Sequence, residues 1–394
     1  MTVPWLARDL IAEAAGHLDE PVADYFFGAA DRGRLMHRNY QSWQRFSIAP
    51  SYLSRPPRAT SRTSFLGRHL DTPLVVAPVA FQSMLDPAGE PGLAFAAGVA
   101  GFGYTISTRS SRRLSAISDA FELGQRIDAA EIDGLDEDHR ILLESFAGQR
   151  HGELWLQVYQ TKDHDFVGQL LDTGAEVGVK AAALTIDTPY LGARYRDSVH
   201  GFSPVDRLKE VLAVEDQDGP AFGDGFSSAA IAQAIELDVD GFIRDCEQRG
   251  IDPMFKGVLS APDWGAMHKL VTLSSVTPWI SNHGGRQSDL LPTTAEALSL
   301  LRGSLAGGEC IVDGGIGDPT DAICALALGA RVVAIGRPLM AAYALGGVRA
   351  ATEYLIEFRH QLVRQLAILG YESPRQIDPR AVQLRLEQGR SSDV

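Results

Sequence analysis

The chain has 394 residues, 45% hydrophobic and 22% charged, an ordinary globular composition that excludes disorder as the dominant state. With 36 Lys and Arg against 50 Asp and Glu, the net charge of -14 argues against a nucleic-acid groove, though a local basic pocket is compatible with it. Cys246, Cys310 and Cys324 are odd in number and form no CxxC pair, so neither a disulfide framework nor a metal site is expected, and a reducing cytoplasm is the expected compartment.

Taken in chain order, the first positions carry Asp9, Glu13, Asp19 and Glu20 among apolar residues, which is a surface-helix pattern and not a secretory leader. No run approaches the roughly 18 apolar residues of a membrane span, so no membrane partner is expected. Residues 24–30, from Asp24 to Ala30, close a helix in glycine. From residue 73 onward, short apolar runs alternate with stretches of helical period. The candidate strands are Leu74–Val79, Tyr104–Ser107, Leu154–Tyr159, Ala181–Ile186, Met254–Val258, Val276–Ser281, Glu309–Val312 and Arg331–Ile335. Eight β/α units are the count of a (β/α)8 TIM barrel, an α/β fold that here has an N-terminal helical segment and long rim loops. One domain is expected over residues 1–394: a helical cap over 1–72, the barrel over 73–365 and a C-terminal tail over 366–394. Two segments exceed what the connections need. One, between Ser111 and Glu153, is helical and acidic, with seven acids from Asp128 to Glu144; the other, between Asp197 and Asp252, is Gly/Asp-rich and expected to act as a lid.

Nearly all the strands are continuously apolar and end in polar or glycine-rich residues, which marks the C-terminal rim as the place for chemistry. The sixth ends Ser281-Asn282-His283-Gly284-Gly285-Arg286-Gln287. Histidine is suited to take a proton near neutral pH, an arginine fork matches a carboxylate, and the glycines are expected to let substrate approach the backbone. The fourth strand ends Thr185-Ile186-Asp187-Thr188-Pro189, where Asp187 either orients the imidazole or caps a following helix. Arg194 and Arg196 are either a second cation for substrate or surface residues. Asp313-Gly314-Gly315-Ile316-Gly317 and Gly336-Arg337-Pro338 follow the seventh and eighth strands, where barrels bind phosphate. Lys256, at the end of a buried run, is costly unless it faces an anion. Gln157, Tyr159, Ser107 and Thr108 are polar groups at the same rim.

These motifs, with Ala77-Pro78-Val79-Ala80, Lys256-Gly257-Val258 and Ala325-Leu326-Ala327-Leu328-Gly329-Ala330, stand in an order that resembles the FMN-dependent 2-hydroxy-acid oxidases and dehydrogenases. The resemblance spans roughly residues 20–365. It implies FMN as cofactor, a small 2-hydroxy acid as substrate, dioxygen or another electron acceptor as partner, and a homo-oligomer, tetrameric or octameric. It implies that His283 is the base, paired with Asp187, with either carbanion formation or hydride transfer open to it. Arg286, Arg194 and Tyr25 would grip the carboxylate, Tyr159 the hydroxyl, and Lys256 the reduced flavin. Pro78, Val79, Ala80, Ser107, Gln157, Thr185 and Ser281 would meet the flavin ring, while Asp313, Gly314, Gly315, Gly336 and Arg337 would hold its phosphate. Two departures stand out. Gly317-Asp318-Pro319 occupies the place where the family usually supplies a phosphate-binding arginine, so weaker FMN retention is expected. Arg109 replaces a bulky apolar residue above the pocket, and either points to the surface or suits a substrate with a second anionic or polar group.

Overall fold

Eight parallel strands close on themselves in the computed structural model, which describes residues 4–54, 58–146, 150–159, 164–212, 237–271, 276–303 and 309–385. In chain order they are β1 (Leu74–Val76), β2 (Gly103–Ser107), β3 (Leu154–Val158), β4 (Ala181–Thr185), β5 (Asp252–Val258), β6 (Thr277–Ile280), β7 (Ile311–Val312) and β8 (Val332–Ile335). Each pairs with its sequence neighbours, and β8 returns to β1 through Val333 opposite Leu74. All eight expected strands are present, and most are trimmed at their ends. Strand β1 stops early because Pro78 has no N–H to give the ladder; the last bond in register is Ala77 N–H to Ile335 O at 2.9 Å.

The N-terminal mouth of the barrel is sealed. Strands Thr63–Phe65 and Arg68–Leu70 form a hairpin whose turn residues, Leu66 and Gly67, both have positive φ. The hairpin drives Phe65 into the barrel, 5.4 Å from the Trp155 ring, which lies 6.2 Å edge-on from Trp279. Beneath them Arg68 ties Glu153 to Asp252. Space for a ligand is therefore left at the opposite, C-terminal rim.

Helices Gly89–Ala100 and Leu114–Arg126 lie against each other with almost no space between backbones, since a Cβ on Gly98 would stand 2.4 Å from Phe121 O. Leu114–Arg126 is thus an ordinary packing helix of the barrel. The acidic insertion expected from Ser111 shortens to a turn at Ala129–Glu131 and helix Glu137–Ser145. That helix is capped by Asp136 and pinned by His139, whose ring nitrogens sit 2.7 Å from Asp136 and 2.9 Å from Glu357 on the long C-terminal helix Arg337–Leu369. The long helix breaks at Gly346 and Gly347, the latter at φ 62°, ψ -151°, which only glycine adopts readily. In the expected lid, Tyr195–Val199, Pro204–Leu212 and Val239–Gln248 are helical, and 213–236 lies outside the described residues, as does 386–394 of the tail. Among the described residues no helix is long and apolar enough to cross a membrane.

Candidate active site at the C-terminal rim

Beyond β6 the backbone makes three successive left-handed residues, His283, Gly284 and Gly285, at φ 56°, 64° and 77°. A non-glycine residue in that region is strained, and strain of this kind is held in place only by its surroundings. Here the surroundings are the N-terminal helix Arg34–Trp43 and Arg337. A Cβ on Gly285 would stand 2.8 Å from Met36 N, one on Gly315 2.4 Å from the Asn39 carbonyl carbon, and one on Gly284 2.8 Å from Arg337 Nη1. The glycines expected to admit substrate instead admit the protein's own helix and guanidinium. The helix is locked by reciprocal amide bonds between Asn39 and Asn282, at 3.0 and 2.8 Å, and by Asp289, which accepts from Leu35 N–H at 2.8 Å.

His283 turns its ring to Asp187, with Nδ1 and Oδ1 3.1 Å apart. Asp187 caps no helix, because the next one starts only at Tyr195. Its other oxygen, Oδ2, is buried without a hydrogen-bond partner among the described residues. Burial pushes the Asp187 carboxyl up, but the His283 charge and hydrogen bond and the Lys256 charge overcome it and hold the group below the usual range. Burial also depresses His283, assisted by Lys256 and Arg194 and opposed by Asp187, so the ring is neutral at neutral pH. Lys256 is buried beside an anion, as expected, but the anion is a protein group: Nζ lies 3.2 Å from Asp313 and donates to Ser281 Oγ at 2.8 Å. Ser281 in turn donates to Asp313 at 2.7 Å.

One cavity gathers the sequence-derived site. It encloses about 1180 Å³ of empty space, open mouth included, and is lined by Tyr25, Pro78, Val79, Ala80, Ser107, Arg109, Gln157, Tyr159, Thr185, Arg194, Lys256, His283, Arg286, Asp313, Gly314, Gly315, Gly336 and Arg337. Of the expected residues Asp187, Ser281 and Thr108 stand behind the wall, bonded to His283, Lys256 and the Gln157 carbonyl respectively. Arg196 is on the surface, paired with Asp24 at 3.2 Å. Arg109 faces inward, its guanidinium 5.8 Å over the Tyr159 ring. Arg286 lies 5.3 Å over the Tyr25 ring and donates to Tyr25 O at 2.6 Å, and Arg337 donates to Gly28 O at 2.8 Å; both use the carbonyl-rich C-terminus of helix Glu20–Phe27. Burial first, then the neighbouring charges of Arg194 and Arg337, push the Arg286 pKa down to about 9. Within the wall Gln157 donates to Thr185 Oγ1 at 2.8 Å and accepts from Ser107 Oγ at 3.3 Å.

Tyr40, Thr188, Leu191, Ile316 and Met340 also line the cavity, and sequence reasoning missed them. Tyr40 arrives on the docked N-terminal helix, so no local signal near the strands announces it. Asp318 stays out of the cavity and caps helix Pro319–Ala327, accepting from Thr320 N–H at 2.6 Å. Asp321 accepts from Gly317 N–H at 2.9 Å; burial, then Asp318, push its carboxyl up to about 7.

The residues fit FMN together with a carboxylate substrate. Nε of Arg194 and of Arg337 are buried in the cavity without hydrogen-bond partners among the described residues, which is costly for charged donors until an anion arrives. The Gly314–Gly315 turn, at φ 93° and 77°, lines the same cavity as Arg337, so backbone and a cation are both available to a phosphate.

Comparison with known proteins agrees. The chain is 28% identical over 381 residues to an L-lactate oxidase of Roseobacter sp. (strain GAI101), covering 96% of this chain and 94% of that one. It is 29% identical over 379 residues to 2-hydroxyacid oxidase 2 of Rattus norvegicus, covering 95% and 97%. A crystal structure of mandelate oxidase, 28% identical, superposes with a TM-score of 0.74 over 97% of this chain and 99% of that one. A lactate oxidase structure from Pediococcus acidilactici, 23% identical, shares the fold with a TM-score of 0.77 over 96% and 94%. The family model for FMN-dependent dehydrogenase matches residues 14–384, and the chain belongs to that family of FMN enzymes acting on CH–OH groups.

Proposed function

We propose that the enzyme oxidises a 2-hydroxy acid to the 2-oxo acid with His283 as the base and dioxygen as the final acceptor, giving hydrogen peroxide. The observation that carries this is a neutral, carboxylate-paired imidazole facing a cavity that also presents Arg194 and Arg286. Bound FMN supplies the two-electron acceptor. Arg194 and Arg286, with Tyr25, hold the substrate carboxylate, and Tyr159 meets its hydroxyl. His283 takes the proton at Nε2, and Asp187 stabilises the imidazolium that results. Lys256 keeps its charge despite burial, because Asp313, Asp187 and Tyr159 outweigh the cost, and would offer a bound flavin a cation from the cavity wall. Pro78, Val79, Ala80, Ser107, Gln157, Thr185 and Ser281 serve the flavin ring, and Asp313, Gly314, Gly315, Gly336 and Arg337 the phosphate end. The oxidase reading is supported by relatives named lactate oxidase and 2-hydroxyacid oxidase.

Anaerobic flavin bleaching against aliphatic, aromatic and dicarboxylic 2-hydroxy acids tests the reaction; bleaching by none of them ends the proposal. His283→Ala removes bleaching while leaving the bound-flavin spectrum intact, whereas loss of flavin would make the histidine structural. Stopped-flow reoxidation by dioxygen tests the acceptor.

A second reading rests on Arg109, whose guanidinium forms part of the cavity wall above Tyr159. It keeps the same chemistry but assigns a larger or doubly charged hydroxy acid, with another electron acceptor. On that reading Arg109→Leu lowers kcat/KM for a dicarboxylic substrate about tenfold or more relative to a monocarboxylic one.

A further inference from the structure

The loop from Asp187 to Arg194 carries the partner of the base at one end and a substrate cation at the other, yet it contains no helix or strand. Its backbone leans on one side chain. Gln287 donates through Nε2 to Asp187 O at 2.7 Å and to Tyr190 O at 2.9 Å, and accepts through Oε1 from Gly192 N–H at 3.2 Å. The loop is pressed onto this residue, since a Cβ on Gly192 would stand 2.4 Å from Arg286 O and 2.5 Å from Gln287 O. On the opposite side, a Cβ on Gly257 would stand 2.6 Å from the Asp187 Cβ. Asp187 is thus gripped between Gln287 and the β5 backbone. Among the described residues its carboxylate bonds one side chain, His283, and its buried Oδ2 has no partner, so the carboxylate is aimed through its backbone. A primary amide suits this place chemically. Two carbonyls and one N–H need two donors and one acceptor on a single neutral head; a carboxylate would confront the carbonyls with lone pairs, and a guanidinium has no acceptor.

We propose that Gln287 is a positioning residue for proton transfer, holding Asp187 against His283 and Arg194 at the cavity wall while touching neither substrate nor flavin. The inference rests on the reading of His283 as base. Its test uses the FMN-loaded enzyme with two variants: Gln287→Met, which keeps the volume and loses all three bonds, and the isosteric Gln287→Glu, which keeps an acceptor and loses both donors. Four quantities are measured: flavin content, thermal unfolding, the anaerobic flavin-reduction rate against pH, and the His283 titration by NMR, its signal assigned by its loss in His283→Ala.

Misplacement on the scale of an ångström lowers the reduction rate constant about 10- to 100-fold in both variants, at unchanged flavin content. The charged groups facing His283 are Asp187, which favours its protonated form, and Lys256 and Arg194, which oppose it. A displaced Asp187 therefore moves the His283 titration, and the inflection of the rate profile, to lower pH by roughly 0.5 unit or more. KM rises as well, because Arg194 moves with the loop. Wild-type rate and inflection in both variants overturn the proposal, and so does a lowered unfolding temperature accompanied by a wild-type pH profile, which marks a role in stability alone. Should Gln287→Met fail to fold, Gln287→Glu carries the same comparison. Should no 2-hydroxy acid reduce the wild type, the proposed reaction fails, yet the His283 titration still decides the positioning role: an unmoved resonance overturns it.

Discussion

Replacing Asp187 by asparagine removes one charge and leaves the side-chain shape almost unchanged. In the native site the carboxylate lies 3.1 Å from His283 Nδ1, which puts the charge centres roughly 4 Å apart once the imidazolium forms. At an effective dielectric of about 20 that pairing is worth about 4 kcal/mol, which translates into roughly a thousandfold slower flavin reduction. Stability moves far less. Oδ2 is already buried without a partner, so the amide that replaces it inherits an existing deficit and escapes the cost of burying a charge. The rate profile moves too: Asp187 opposes the depression of His283 by burial, and without it the inflection shifts to lower pH. The assay is anaerobic stopped-flow reduction across pH, set beside thermal unfolding of the same samples. A plateau rate within about tenfold of wild type, or an inflection displaced to higher pH, refutes the assignment of Asp187 as the electrostatic partner of the base.

Three other outcomes are expected. Gly315→Ala places a Cβ 2.4 Å from the Asn39 carbonyl carbon at a φ of 77°, so helix Arg34–Trp43 is unseated at a cost of about 3 kcal/mol or more, read by urea unfolding, and flavin is shed with it. Burial lowers the His139 pKa, but hydrogen bonds to Glu357 and Asp136 and the charges of Asp136 and Glu353 outweigh it and raise the value to about 9 from an unfolded 6.5. The stability this contributes, up to about 3 kcal/mol, is complete below about pH 6.5 and disappears as pH rises through about 9; His139→Phe lacks that alkaline loss, and parallel curves for the two proteins in urea unfolding would contradict the argument. FMN leaves the enzyme during extensive dialysis, because Gly317 offers the phosphate no cation and Asp321 nearby gains charge above about pH 7; full retention counts against it.

What the sequence disclosed and what it hid divide along a physical line. Residues at strand ends were legible, because a buried parallel strand is apolar throughout and any His, Asp, Lys or Gln that ends one stands out against it. Hence His283, Asp187, Lys256 and Gln157 fall where expected. Tyr40 and the seat of helix Arg34–Trp43 were not, because they depend on which surface a distant helix chooses, and a helix with buried Leu35, Asn39 and Trp43 announces only that it has an inner face. For the same reason the sequence marks Gly285 as room for substrate, when the space on its Cβ side belongs to the Met36 backbone. Helix Leu114–Arg126 is expected as helix but as part of an acidic insertion; its inward Leu114, Ile117 and Phe121 make it a packing helix of the barrel, a role that the acids from Asp128 onward mask in the sequence.

The docking of the N-terminal helices on the rim has a consequence for how the enzyme comes into being. Arg286 bonds Tyr25 across 261 positions of chain, Leu35 meets Asp289 across 254, and Asn39 meets Asn282 across 243. Helices Glu20–Phe27 and Arg34–Trp43 therefore have no seat until the sixth and seventh β/α units exist, and contacts of such separation are entropically late. The share of the cavity wall that Tyr25 and Tyr40 supply closes only once those units are in place. A chain arrested before about residue 290 lacks both the Asp313 turn and Arg337, so its cavity has no wall on that side.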